Sequence, residues 1–157
     1  MRKLVAVMML SLSVACSSVQ AEDSGNSITP AEAIARANND PQYGVRGQFL
    51  MEVKAIGRSE GYSYLNSEVD YRDQRCLTIA MPDDVAEKLE RKFGIPIKDL
   101  KGRKILIMGV AKRVRILFVP EGESINRFTS RREIGKMQYY YQTQIRVSSP
   151  TQIEFAE

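Results

Sequence analysis

Residues 101–118 read KGRKILIMGVAKRVRILF. Apolar side chains dominate the stretch, and Gly109 interrupts its apolar run. The pattern predicts one long β-strand that bends at Gly109. The apolar phase changes over residues 110–114, as a β-bulge would produce. Six cations lie within the stretch, and no acid occurs between Asp99 and Glu121. A long, bent strand suits a small barrel, because strands must curve for a sheet to close.

The segments on either side fit that reading. Residues 44–58 alternate with period two, with Val45, Gly47, Phe49, Met51, Val53 and Ala55 on one face. After a Ser59-Glu60-Gly61 turn, residues 62–66 form a second strand with Tyr62, Tyr64 and Asn66 on a common face. A polar linker, 67–74, leads to a third strand over 75–81. Asp84 to Glu87 resembles a capping box, so a helix is expected there, with Val85, Leu89 and Phe93 as its apolar stripe and Gly94 as its stop. A final strand covers 139–147. Upstream, Thr29 with Glu32 predicts a capped helix running to about Asn39, with Pro30 at its first position and Ile28 against Ala33 as a hydrophobic staple. The order is three strands, a helix and two strands. The expected fold is therefore mainly β: a five-stranded Greek-key OB-fold barrel, with a helix between strands three and four and a short N-terminal helix. Gly47, Gly57 and Gly109 lie where such strands would bend.

Residues 61–66 (GYSYLN), 100–105 (LKGRKI) and 149–154 (SPTQIE) resemble motifs of a bacterial family of exported OB-like domains of nucleic-acid-binding type, some found beside secreted nucleases. The resemblance spans roughly residues 44–118 and 143–155. It implies the OB fold and a nucleic-acid-binding ancestry. It does not extend to residues 119–138, an insertion where that family has a tight turn.

The N-terminus differs in kind from the rest. Arg2 and Lys3 precede an uncharged apolar run over 4–14, and Val19-Gln20-Ala21 precedes Glu22 and Asp23. This predicts a secretory signal peptide over 1–21, cleaved after Ala21, then a flexible leader over 22–27 and one domain over 28–157. Lipidation at Cys16 is the alternative, but Ser13 stands where such sites carry a branched aliphatic residue. The apolar run is shorter than the roughly 20 residues a membrane-spanning helix needs. The expected location is periplasmic or secreted, and the mature chain is expected to be monomeric with no transmembrane segment. Cleavage would leave 21 basic and 19 acidic residues, a net charge of +2, with the positive excess confined to 101–115. Cys76 would be the sole cysteine, which excludes an intramolecular disulfide and favours a buried apolar role.

Function is less legible. Sequence-tolerant binding of single strands requires cations along the backbone and aromatics that stack bases. Tyr62 and Tyr64, with Lys112, Arg113 and Arg115 and with Arg131 and Arg132 of the inserted stretch, supply that mixture. The expected ligand is single-stranded nucleic acid or another polyanion. The competing reading packs Tyr64 into the barrel and leaves the cations as a solvated face. A second candidate is a protein or peptide surface for an envelope partner, built on Tyr139, Tyr140 and Tyr141. In it Tyr140 is exposed, while Tyr139 and Tyr141 face inward with Thr143, Ile145 and Val147.

No metal or cofactor is expected. Glu68, Asp70 and Asp73 have no EF-hand spacing, and the chain contains no histidine. No general base of histidine type, no nucleophile elbow and no phosphate loop is present, so a non-catalytic binding module is expected, with a metal-dependent nuclease as the minor alternative.

Overall fold

In the computed structural model, residues 27–118 and 138–156 are described. The first helix, α1 (Pro30–Asn39), starts as its sequence dictates. The Thr29 side chain accepts from the Glu32 N–H, and the Glu32 carboxylate accepts from the Thr29 N–H at 2.9 Å. Ile28 and Ala33 are both buried in the core. The second helix, α2 (Asp83–Phe93), starts two residues earlier than the Asp84–Glu87 box predicts. Pro82 occupies the cap position without a side-chain cap bond, and Asp84 lies inside the first turn, paired with Lys88 at 2.8 Å. Gly94 ends the helix with φ +69°, a conformation that glycine adopts without a Cβ penalty.

The strands are β1 (Val45–Glu52), β2 (Ala55–Ser59), β3 (Tyr62–Asn66), β4 (Leu77–Pro82), β5 (Lys104–Phe118), β6 (Gln138–Arg146) and β7 (Ile153–Phe155). They form one mixed sheet in the order β1-β5-β6-β4-β3-β2, with β7 also paired to β5. All pairings are antiparallel except β4 with β6, which is parallel.

The described residues thus form a mainly β, open seven-stranded sheet rather than a closed barrel of five. Two local events account for the difference. The expected first strand divides after Glu52. The Val53 N–H donates to the Arg103 carbonyl, whereas the Lys54 N–H donates to the Asn66 carbonyl. The chain therefore leaves β5 and joins β3 within two residues. Near the C-terminus, the Ile153-Glu154-Phe155 run pairs with β5 as a seventh strand.

The expected bulge in β5 is absent. Its ladder with β1 runs from Glu52↔Lys104 to Val45↔Ala111 without a skipped residue, and its ladder with β6 runs from Ala111↔Ile145 to Phe118↔Gln138 equally unbroken. The change of apolar phase arises because the strand changes neighbours at Ala111. Before that residue its inward side chains, Ile105 and Ile107, meet the core. After it the β5–β6 pair extends past β1 as a two-stranded ribbon. Gly47 and Gly109 are also not bends of positive φ. Each leaves space for a core side chain, Ile28 in one case and Ile145 in the other.

The core lies between this curved sheet and the two helices. Phe49, Met51, Val53, Leu65, Leu77, Ile79, Ile105, Ile107, Ile145 and Ile153 come from the strands, and Val85, Ala86 and Leu89 come from α2. Among the described residues, no helix is long and apolar enough to cross a membrane.

Candidate functional site

Strand register divides the expected ligand residues between two faces. Side chains alternate along a strand, and residues directly opposite in a ladder share a face. Tyr64 pairs with Ala80, which pairs with Arg146; Asn66 pairs with Thr78, which pairs with Gln144, which pairs with Lys112. These rows form the outer face of the sheet, and Tyr62 belongs to it. Arg113 and Arg115 alternate with Lys112 and lie on the opposite face. Arg131 and Arg132 lie outside the described residues.

On the outer face, the Tyr62 and Tyr64 rings stack with centroids 6.4 Å apart. Tyr62 is exposed and Tyr64 half-buried, so Tyr64 does not pack into the core. Its phenol is pushed above its ordinary pKa of 10, first by burial and then by Glu60 and Tyr62, with Arg146 opposing. It is therefore a neutral donor at physiological pH. Next to Tyr64 is a groove of about 360 Å³ lined by Gly57, Arg58, Asn66, Tyr71, Thr78, Ile116, Tyr140, Gln142 and Gln144, among others. Its floor is polar yet buried: Asn66, Thr78, Gln142 and Gln144 are each under 10% exposed. A second recess of about 400 Å³ adjoins it through Gln144 and includes Arg46, Lys112 and Arg146. Among the described residues, none of these three cations forms a salt bridge.

The opposite face of the ribbon carries a different arrangement. The Arg113 guanidinium lies 3.6 Å from the centroid of the Tyr141 ring, and that of Arg115 lies 5.6 Å from Tyr139. Tyr139 and Tyr141 meet edge to face at 5.7 Å. Here the expected exposure of the tyrosines is reversed. Tyr139 and Tyr141 share the inward face of Thr143 and Ile145, but they lie beyond the last β4–β6 pair, Leu77↔Thr143, where the core ends. They are 56% and 42% exposed. Tyr140 is half-buried on the groove side, against Phe118 at 5.9 Å.

The acidic linker is committed to local structure. Glu68 pairs with Lys54 at 3.0 Å, Asp70 accepts from the Arg72 N–H, and Asp73 pairs with Arg75 at 2.7 Å. Among the described residues, no group of three or more His, Cys, Asp or Glu side chains is placed to hold a metal ion. Cys76 is a buried free thiol beside Asn66 and Thr78.

Sequence reasoning missed Arg46, Arg146, Tyr71, Gln142 and Gln144. The alternation Gln142-x-Gln144-x-Arg146 was a visible signal of a polar outer face on β6. What could not be read was that this face would meet the Tyr62-x-Tyr64-x-Asn66 face, since the two strands are adjacent only through β4. No protein-family model, curated protein or solved structure matches the chain.

Proposed function

We propose that this chain is an exported, non-catalytic binding module of OB type whose outer face holds single-stranded nucleic acid, the anionic polymer that best suits its chemistry. The topology supports the OB reading. The helix α2 separates β4 from β5, β4 and β6 run parallel, and the two ends of the open ladder, β1 and β2, are one chain segment that changes partner at Val53–Lys54. OB-folds bind oligonucleotides across the outer face of their second and third strands, which here are β3 and β4. The basic n-region and apolar run of residues 1–14 support export.

The observation that carries the ligand class is the meeting of three features on one face: the Tyr62–Tyr64 stack, an amide-lined groove, and three cations, Arg46, Lys112 and Arg146, that form no salt bridge among the described residues. Stacked aromatics receive bases, and cations follow phosphates. With a mature net charge of +2, affinity should be modest and should fall steeply with salt. Titration of the chain with a labelled single strand at low and moderate salt is the test. Absence of binding at low salt would remove this reading.

A second reading rests on the Arg113–Tyr141 and Arg115–Tyr139 stacks. Tyrosine and arginine, with tryptophan, are enriched at protein interface hot spots, and cation–π attraction holds each guanidinium near its ring. This face suits a partner protein carrying carboxylates. Capture of envelope proteins that is lost on Tyr141→Ala, with oligonucleotide binding intact, would favour it.

A further inference from the structure

The glutamine pair on the floor of the groove has a fixed hydrogen-bonding polarity, set from its edge inward. The Tyr71 backbone carbonyl can only accept, so the Gln142 amide turns its Nε2 toward it, at 2.6 Å. That leaves Gln142 Oε1 to accept from Gln144 Nε2, at 2.7 Å. Gln144 Oε1 is thereby an acceptor with no partner among the described residues. At the other end, Asn66 Oδ1 accepts from the Thr78 hydroxyl at 2.9 Å, which leaves Asn66 Nδ2 as a donor without a partner among the described residues. Asn66 is only 4% and Gln144 only 8% exposed, and both line the groove. Among the described residues no fully enclosed side-chain polar atom lacks a partner, and both amides belong to residues that line the groove. Buried amides with spare capacity are costly unless something meets them.

We propose that this floor reads the edge of one nucleobase, so that binding discriminates between bases instead of following stacking and phosphate charge alone. The inference rests on the nucleic-acid reading above. Every base edge presents donors and acceptors in a base-specific order, and amide side chains are suited to read it. The groove holds about 360 Å³, room for a planar base but not for a duplex. Tyr62 and Tyr64 alone would give sequence-tolerant binding, because every base has a stacking face. Selectivity therefore isolates the contribution of the floor.

The test uses the full chain and labelled single strands of about ten nucleotides, within the range one OB-fold covers. Homopolymers of thymine, cytosine and adenine are compared with a strand of difluorotoluene, a thymine isostere that stacks without strong hydrogen bonding. The expected result is a spread of about tenfold or more in Kd among the natural strands, with the isostere at or below the weakest of them. Gln144→Met, which removes the fixed acceptor at nearly constant volume, should compress that spread to about twofold. Equal binding of all four strands would overturn base reading and leave nucleic-acid binding standing. Failure of every strand to bind at low salt would overturn both, as would preference for a neutral glycan chain. If Gln144→Met does not fold, the isostere comparison on the native chain decides alone.

Discussion

Gly47 and Gly109 stand directly opposite each other in the β1–β5 ladder, and neither has room for a side chain. A Cβ on Gly47 would meet the Ile28 Cδ1 at 2.7 Å, and one on Gly109 would meet the Ile145 Cγ2 at 2.6 Å. The two clashes are not equivalent. Cδ1 is the far end of a flexible chain, whereas Cγ2 is a branch methyl held close to the β6 backbone. Gly109→Ala should therefore destabilise the fold by about 1–3 kcal/mol, and Gly47→Ala by less. Urea denaturation of both variants gives the comparison, and a larger loss for Gly47→Ala would contradict it.

The division of cations between faces makes a directional prediction for binding. Tyr64→Ala should weaken single-strand binding by about 1–3 kcal/mol. Lys112→Gln should weaken it across all sequences and lower the slope of log K against log salt by about 0.7, the value for one phosphate on a single strand. Arg115→Gln, on the other face, should change neither. Fluorescence anisotropy over a salt series reads all three. An Arg115 effect equal to that of Lys112 would mean that the strand wraps the ribbon.

Asp73 makes the acid response of the linker predictable. Its side-chain and backbone hydrogen bonds with Arg75 hold the carboxyl at about 2, below its ordinary 3.8. A depressed carboxyl stabilises the fold fully above its unfolded value and loses that contribution as pH falls through the folded one. The loss should thus occur as pH falls from about 4 to about 2. A carbon-detected titration of Asp73 should place its midpoint at the low end of that range, and Asp73→Asn should flatten the acid limb of stability there. Because the carboxyl is at the surface, ionic strength should weaken the effect.

Lys92 ties α2 to the C-terminal strand. Its ammonium donates to the carbonyls of Pro150 at 3.2 Å and Ile153 at 2.7 Å, and to the Glu154 carboxylate at 2.6 Å. Phe93 stacks on Phe155 alongside, at 4.2 Å. Lys92→Met should cost about 1–2 kcal/mol. It should also speed amide exchange in β7 more than in β4, and unchanged exchange in β7 would show that the side chain of Phe155 alone anchors the strand.

Local sequence carried much of this molecule. The Thr29–Glu32 box, the Gly94 stop, and the alternation of residues 45–53 and 62–66 depend on neighbours a few residues away, so they were readable without a fold. Beyond Val53 the expected phase fails, because Ala55 lies opposite Asn66 on the outer face and Ile56 opposite Leu65 against the core. The helix α2 between β4 and β5 follows from the same short-range signals. Exposure at the ribbon was not readable, because Tyr139 and Tyr141 have the inward parity of Ile145 but extend past the last residue of β4 that could cover them. Face assignment within a strand follows from period two; whether that face meets a core depends on where the neighbouring strand ends.

The stretch over 101–118 shows the same division. Its sequence alone determined that most of it, residues 104–118, is a single long strand rich in cations, because β-branched residues and alternation are properties of the chain itself. Lys101 and Gly102 form the turn that precedes it. Tertiary structure alone decided that Lys112 lies with Tyr62 and Tyr64 while Arg113 and Arg115 lie with Tyr141 and Tyr139. It also decided that the change of apolar phase is an exchange of partners at Ala111 and not a bulge. The reason is that a ligand face is assembled from strands distant in the chain. Their register is set by packing of Ile79, Ile107 and Ile145 in a shared core, and no local pattern in any one strand contains that information.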